Sequence, residues 1–159
     1  MNSTKLTISD SLSDFFLESL IKINKKKSFC LPSPVIIYSA KVLEHYSLSS
    51  EFFDQTDSGI KEKILGLKLL EASSLSVTER SQTYKEVGDI SLLVTGYFSN
   101  SLSNKIVDPS YYIQVGQTAY LNMNHYYPSY YDQKDFFKIV SNSFEKISML
   151  LNCLKAKHQ

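Results

Sequence analysis

Apolar side chains recur along this chain at intervals of three and four residues rather than two, a spacing that gathers them on one face of a helix. Interruptions are few, with five glycines and four prolines in 159 residues. The pattern predicts an all-α fold: a compact, single-domain bundle of about six helices, at roughly 7–27, 34–47, 58–72, 78–98, 108–125 and 132–157. A chain of this length buries roughly 70% of its unfolded surface, so its core requires neither disulfides nor a structural metal.

Local signals place the helix ends. Thr7 with Asp10 three residues on resembles a capping box, and Ile8, Leu12, Phe15, Phe16, Leu20 and Ile23 follow as the first apolar face. Lys25, Lys26 and Lys27 suit the negative end of that helix dipole. Ser33 and Pro34 read as N-cap and first residue of the second helix, and Ser73, Ser74 and Ser76 as a break after the third. Thr78 and Glu79 open the fourth. Asp108-Pro109-Ser110 opens the fifth, whose inward stripe is Tyr112, Val115, Gly116, Ala119, Tyr120 and Met123. After a linker ending near Pro128, Asp132 and Asp135 open the last helix, with Phe136, Val140, Phe144, Ile147, Leu151 and Leu154 as its seam.

Seventeen basic residues balance sixteen acidic ones, and Arg80 is the sole arginine, so the clustered cationic footprint that phosphate recognition requires is missing and no nucleic-acid partner is expected. The longest unbroken apolar run is Val35 to Tyr38, too short for membrane insertion, and the N-terminus lacks the sustained apolar stretch of a signal peptide. A cytoplasmic location is the expectation. Cys30 and Cys153 lie far apart outside any CxxC, and none of the three histidines has a glutamate three residues before it. GxGxxG, GxxxxGK, GxSxG and HExxH are all absent. No metal, cofactor or catalytic residue is assigned.

One region differs from the rest. Between Ile90 and Tyr131 only Lys105 and Asp108 carry a formal charge, out of 33 charged residues in the chain. Charge is depleted both in protein interiors and at the centres of interfaces, so these helices are either enclosed by others or turned toward a partner. Seven of the eleven tyrosines, Tyr111, Tyr112, Tyr120, Tyr126, Tyr127, Tyr130 and Tyr131, fall between residues 111 and 131 of this stretch, and tyrosine joins a large apolar ring to a hydroxyl that needs a partner when buried. Gly88, Gly96 and Gly116 lie in helical segments at about 1 kcal/mol each relative to alanine. They mark either close helix crossings or room for a ligand. Asp89, four residues after Lys85, is either half of a surface ion pair or a buried carboxylate that accepts from tyrosines such as Tyr111 or Tyr112.

The run Tyr84-Lys-Glu-Val-Gly-Asp-Ile-Ser-Leu-Leu-Val-Thr-Gly-Tyr-Phe98, then Val107-Asp108, Tyr111-Tyr112, Gly116 and Ala119-Tyr120, carries the pattern GDxSLxxxGYF…VDxxYYxxxGxxAY. It resembles a family of small bacterial all-helical proteins to which no activity is attached. The likeness covers about residues 77–121 and departs at Tyr97, where the family favours phenylalanine, and at Lys105, where it favours a basic pair. It implies the fold and a bacterial origin rather than a mechanism. Residues 86–91 are also similar to the distal-helix segment of haem oxygenases, but Leu92 and Leu93 stand where those proteins have a glycine pair, and no histidine precedes His45. No haem is expected.

Two functions follow as expectations. The first is a non-enzymatic protein–protein interaction module, an adaptor, regulator or chaperone-like protein with a protein partner or as a homodimer, binding through the tyrosine-rich segment and involving Asp89 and Tyr97. The alternative is a small-molecule binder or enzyme with an apolar pocket between the fourth and fifth helices, lined by Tyr97, Tyr112 and Tyr120.

Overall fold

The structure is a computed structural model and describes residues 3–47, 68–97 and 108–157, with side chains from residue 12 to residue 156. It is all-α apart from one small hairpin. Helix α1 spans Ser3–Lys26 and α2 Ser33–Ser47; residues 68–71 are helical and run into a 3₁₀ turn, Ala72–Ser74. Then come α3, Val77–Thr95, and α4, Pro109–Tyr126; the strands β1, Ser129–Tyr130, and β2, Gln133–Lys134; and α5, Phe136–Asn142, and α6, Phe144–Lys157. The start of the predicted third helix, Phe98 and Lys105 fall outside what is described, as does the side chain of Ile8.

The predicted faces of α4 and α6 are the buried ones. Tyr112, Val115, Gly116, Ala119, Tyr120 and Met123 point inward from α4, and Phe136, Val140, Phe144, Ile147, Leu151 and Leu154 from α5 and α6. Tyr120 and Met123 and the side chains from α5 and α6 meet Phe16, Leu20, Val35, Ile36 and Leu43 from the first two helices in one continuous core. A smaller cluster, Val87, Tyr112, Val115 and Ala119, fills the far side of the α3–α4 contact. Phe15, assigned to the inner face of α1, is instead 45% exposed, because the neighbouring Phe16 takes the core position.

Several helix ends differ from the sequence reading. Thr7 lies inside α1, which already runs from Ser3. In α2 the carbonyl of Pro32 accepts from the N–H groups of Val35 and Ile36, so Ser33 lies inside the helix rather than capping it. Ser76 is no breaker: its hydroxyl accepts from the Glu79 N–H at 3.4 Å and caps α3, the first half of an S-x-x-E capping box. Helix α3 stops at Thr95, and Gly96 is its C-cap rather than an interior residue. Asp108 does cap α4, its carboxylate accepting from the Ser110 N–H at 3.0 Å with Pro109 behind it.

The last predicted helix is three elements. Tyr131 and Asp132 both have left-handed backbones, φ 51° and 57°, and form the two-residue loop of an antiparallel hairpin in which Ser129 pairs with Lys134 and Tyr130 with Gln133. Two positive φ values in sequence define a type I′ turn, whose usual marker is Asn-Gly. Tyr-Asp hides it. Asp132 therefore does not start a helix; Asp135, also left-handed at φ 56°, precedes α5 without capping it by its side chain. Asn124 of α4 substitutes, accepting from the Lys138 N–H at 3.3 Å while its amide donates to Asp135 Oδ1 at 3.1 Å. Ser143 then separates α5 from α6.

Two glycines set how closely α4 approaches its neighbours. A Cβ at Gly88 would lie 2.8 Å from Tyr120 Cε1, and one at Gly116 would lie 2.5 Å from Phe144 Cζ and 3.0 Å from Ser91 Cβ. The aromatic ring occupies the missing methyl group's volume in both places. Gly116→Ala should therefore cost about 1–3 kcal/mol, the usual penalty of overpacking, and Gly88→Ala rather less, read from denaturant midpoints at unchanged m. An unchanged midpoint for Gly116→Ala would contradict this packing.

Candidate functional site

Asp89 lies on the inner face of α3, one turn beyond Lys85, and retains 1% of its surface. A carboxylate there must be met by donors. Tyr38 of α2 donates to Oδ1 at 2.5 Å, Tyr120 of α4 donates to the same oxygen at 2.7 Å, and Lys85 binds Oδ2 at 2.7 Å. The two readings of Asp89 thus combine: it pairs with Lys85 and is buried. The tyrosines are not the expected ones, however. Tyr111 and Tyr112 meet edge-on with centroids 5.6 Å apart, and Tyr112 belongs to the smaller cluster.

Lys85 connects this centre to solvent. Its side chain is 46% exposed, its stem runs along α3, and its ammonium sits 5.6 Å from the centroid of the Tyr38 ring. Burial, and next the charge of Asp89, raise the pKa values of the Tyr38 and Tyr120 phenols well above 10.0. Both remain neutral donors when exposed tyrosines ionise. Tyr46, two helical turns beyond Tyr38, is raised as well, chiefly by burial and then by Asp89 and Glu86.

The rings of Tyr38 and Tyr120 continue into an aromatic cluster. Tyr120 stacks on Phe137 at 6.2 Å; Tyr38 meets Phe136 and Phe137 edge-on at 5.6 and 5.7 Å. Tyr130 lies 5.1 Å from Phe137, and Tyr131 lies 4.6 Å from Tyr130 and 5.5 Å from Phe136. Those contacts hold the left-handed turn in place, each non-glycine αL residue costing roughly 1–2 kcal/mol. Burial and Tyr130 push the Tyr131 phenol up to about 12.

The candidate residues are therefore dispersed. Tyr112 and Tyr120 are fully buried and form no part of any surface. Tyr126 accepts from Arg80 Nη1 at 3.0 Å and lies beside Tyr84, fastening the end of α4 to the start of α3. Tyr97 faces Lys155 of α6, with 5.6 Å from ammonium to ring centroid. Tyr127 is exposed, and Tyr111, Tyr130 and Tyr131 are half-buried. The volume beside Gly88 and Gly116 is filled by the Tyr120 and Phe144 rings; Tyr97 and Tyr120 belong with the main core and Tyr112 with the smaller cluster. Sequence reasoning missed Tyr38, since a partner 51 positions from Asp89 leaves no local mark.

The outer face of α4 supplies a second feature. Ser110, Gln114, Thr118, Leu121 and His125 are exposed and form one stripe, bordered by half-buried Tyr111, Gln117, Asn122 and Asn124. None of the 18 residues of α4 is Lys, Arg, Asp or Glu. Leu121, at the stripe's centre line, is 52% exposed. The outer faces of the other long helices carry charge: Glu79, Lys85 and Glu86 on α3, Glu18 and Lys22 on α1, Glu145 and Lys146 on α6.

No group of three or more His, Cys, Asp or Glu residues among those described could hold a metal ion, and no described helix is long and apolar enough to cross a membrane. The chain matches no family model, no curated protein and no solved structure.

The Asp89 centre makes two measurable statements. Tyr38→Phe and Tyr120→Phe should each cost about 1.5–3 kcal/mol, the worth of a hydrogen bond to a charged group, measured by chemical denaturation. Because both phenols have folded pKa values above 10.0, their contribution is intact below pH 10 and is lost as pH rises through the folded values. Tyrosinate absorbance should therefore rise in two stages, the later one coinciding with loss of helical circular dichroism; titration of all eleven tyrosines as a single class in a still-folded chain would contradict the burial.

Proposed function

We propose that this protein is a non-enzymatic protein–protein interaction module of the adaptor, regulator or chaperone-like kind, and that it binds through the outer face of α4 with the adjoining segment at Tyr127. What carries this reading is the absence of charge from a face that solvent reaches. Burial accounts for charge-poor positions such as Tyr112, Ala119 and Tyr120, but not for Gln114, Thr118 and Leu121, where a lysine or glutamate would cost nothing in the folded monomer. Charge depletion around an exposed apolar residue is the composition of an interface centre.

The buried half of the molecule supports the same reading. The Asp89 centre has its oxygens occupied by protein donors, and the aromatic cluster locks α2, α4 and α5 together, so α4 is held as a rigid platform. A rigid face loses little conformational entropy on binding. Substitutions at its exposed positions should leave folding alone.

Leu121→Glu and Thr118→Glu are thus expected to leave the melting transition within about 0.5 kcal/mol of the parent while removing bound protein in affinity capture. Gln82→Glu, on the charged outer face of α3, serves as the control and should leave binding intact. Retention of the bound protein by both α4 variants would overturn the reading.

A further inference from the structure

Asp89 presents its two oxygens differently. Oδ1 is taken by donors on fixed helices, the hydroxyls of Tyr38 and Tyr120, and both tyrosines are buried. Oδ2 is met, among the described residues, by Lys85 alone, at 2.7 Å, and Lys85 keeps 46% of its side chain in solvent. A buried carboxylate oxygen thus has as its partner a long side chain that enters from outside. That side chain is loosely tethered. Lys85 precedes Asp89 by four residues, the less favourable of the two orders for such a pair along a helix, and fixing a lysine costs rotamer freedom. The Tyr38 ring forms a second wall, its centroid 5.6 Å from the ammonium. Half-buried Tyr46 feels the charges of both Asp89 and Glu86 and so stands at the same entrance.

We propose that Asp89 Oδ2 and the Tyr38 ring form a recognition site for a primary alkylammonium group, which Lys85 fills as the chain's own occupant and which an ammonium from outside takes over when Lys85 turns into solvent. This goes beyond the interaction-module reading and uses none of the exposed residues of α4. A carboxylate held still by two phenols, with an aromatic ring beside it, offers an organic cation both a charged acceptor and a π face. Exchange leaves the charge balance unchanged, since one ammonium departs as another arrives and the buried carboxylate is not left unpaired.

The geometry also selects the cation. A guanidinium binds a carboxylate best as a fork across both oxygens, and Oδ1 already has two donors. A quaternary ammonium has no N–H to give to Oδ2. A primary ammonium on an unbranched stem needs one oxygen only and repeats what Lys85 does. Small amines and the lysine side chains of other proteins both carry that group.

The test is chemical rescue in the full chain. Lys85→Ala removes the occupant and should lower the denaturant midpoint; n-butylammonium, which replaces the lost stem and charge, should restore it. The folding equilibrium constant should then rise about tenfold for each tenfold increase in amine above its dissociation constant. Tetramethylammonium, n-butylguanidinium and sodium at the same concentrations should give no rescue, and n-butylammonium should not act on Lys146→Ala, at an exposed site of α6. In the parent chain with isotope-labelled lysine, the Lys85 Nζ resonance should move saturably to the position of a solvent-exposed lysine as n-butylammonium is added. A capped tripeptide with lysine at its centre separates the two sources: rescue at lower concentration than n-butylammonium assigns the site to a protein lysine, and weaker or no rescue assigns it to a small amine.

Equal rescue by all four cations would make the effect one of ionic strength and overturn the proposal. A Lys85 resonance that stays fixed in the parent would overturn it too, and decides the matter if Lys85→Ala does not fold. Protein capture by the α4 variants is read without added amine, so the two readings fail separately.

Discussion

The Asp89 carboxylate, almost wholly withdrawn from water, is the interaction on which the arrangement of the central helices turns. Alone, an ionised side chain in that position would be prohibitively costly. Three helices share the task of meeting it: α3 through Lys85, α2 through Tyr38 and α4 through Tyr120. Each donor is directional, so the centre defines where α2 and α4 must stand relative to α3. Apolar burial, which is indifferent to register, could not do that.

Aromatic packing extends this constraint outward. Tyr38 and Tyr120 are donors at one end and ring surfaces at the other, and their rings meet Phe136 and Phe137 of α5. Gly88 lets the Tyr120 ring lie against α3, and Gly116 admits Phe144 of α6 against α4. The chain thus accommodates its largest side chains where it has removed its smallest. The hairpin at Ser129–Lys134 is carried by the same cluster, its strained Tyr131–Asp132 turn stabilised by rings rather than by turn-forming residues.

Alongside this interior, α4 has a second face with different demands. Its inner side is among the most closely packed surfaces in the molecule, yet its outer side meets solvent without a single charge. Burial explains the lack of charge at Tyr112 and Tyr120 but not at Gln114, Thr118 and Leu121, and sequence alone could not separate the two groups; the proposed interaction face rests on the second.

Periodicity determined the helical class, the buried faces of α4 and α6 and the Asp108 cap, because each depends on residues within one or two turns of one another. Even locally, unusual chemistry hid some features: a Tyr-Asp loop conceals a type I′ turn, and a capping serine among several serines resembles a break. Tertiary structure alone decided that Asp89 would take Tyr38 and Tyr120 rather than Tyr111 and Tyr112. It alone decided which tyrosines are enclosed, and that Asn124 rather than Asp135 would cap α5. These outcomes depend on which helices lie side by side. That is a property of how faces pack across 31 or 51 residues of intervening chain, and no short-range pattern encodes it.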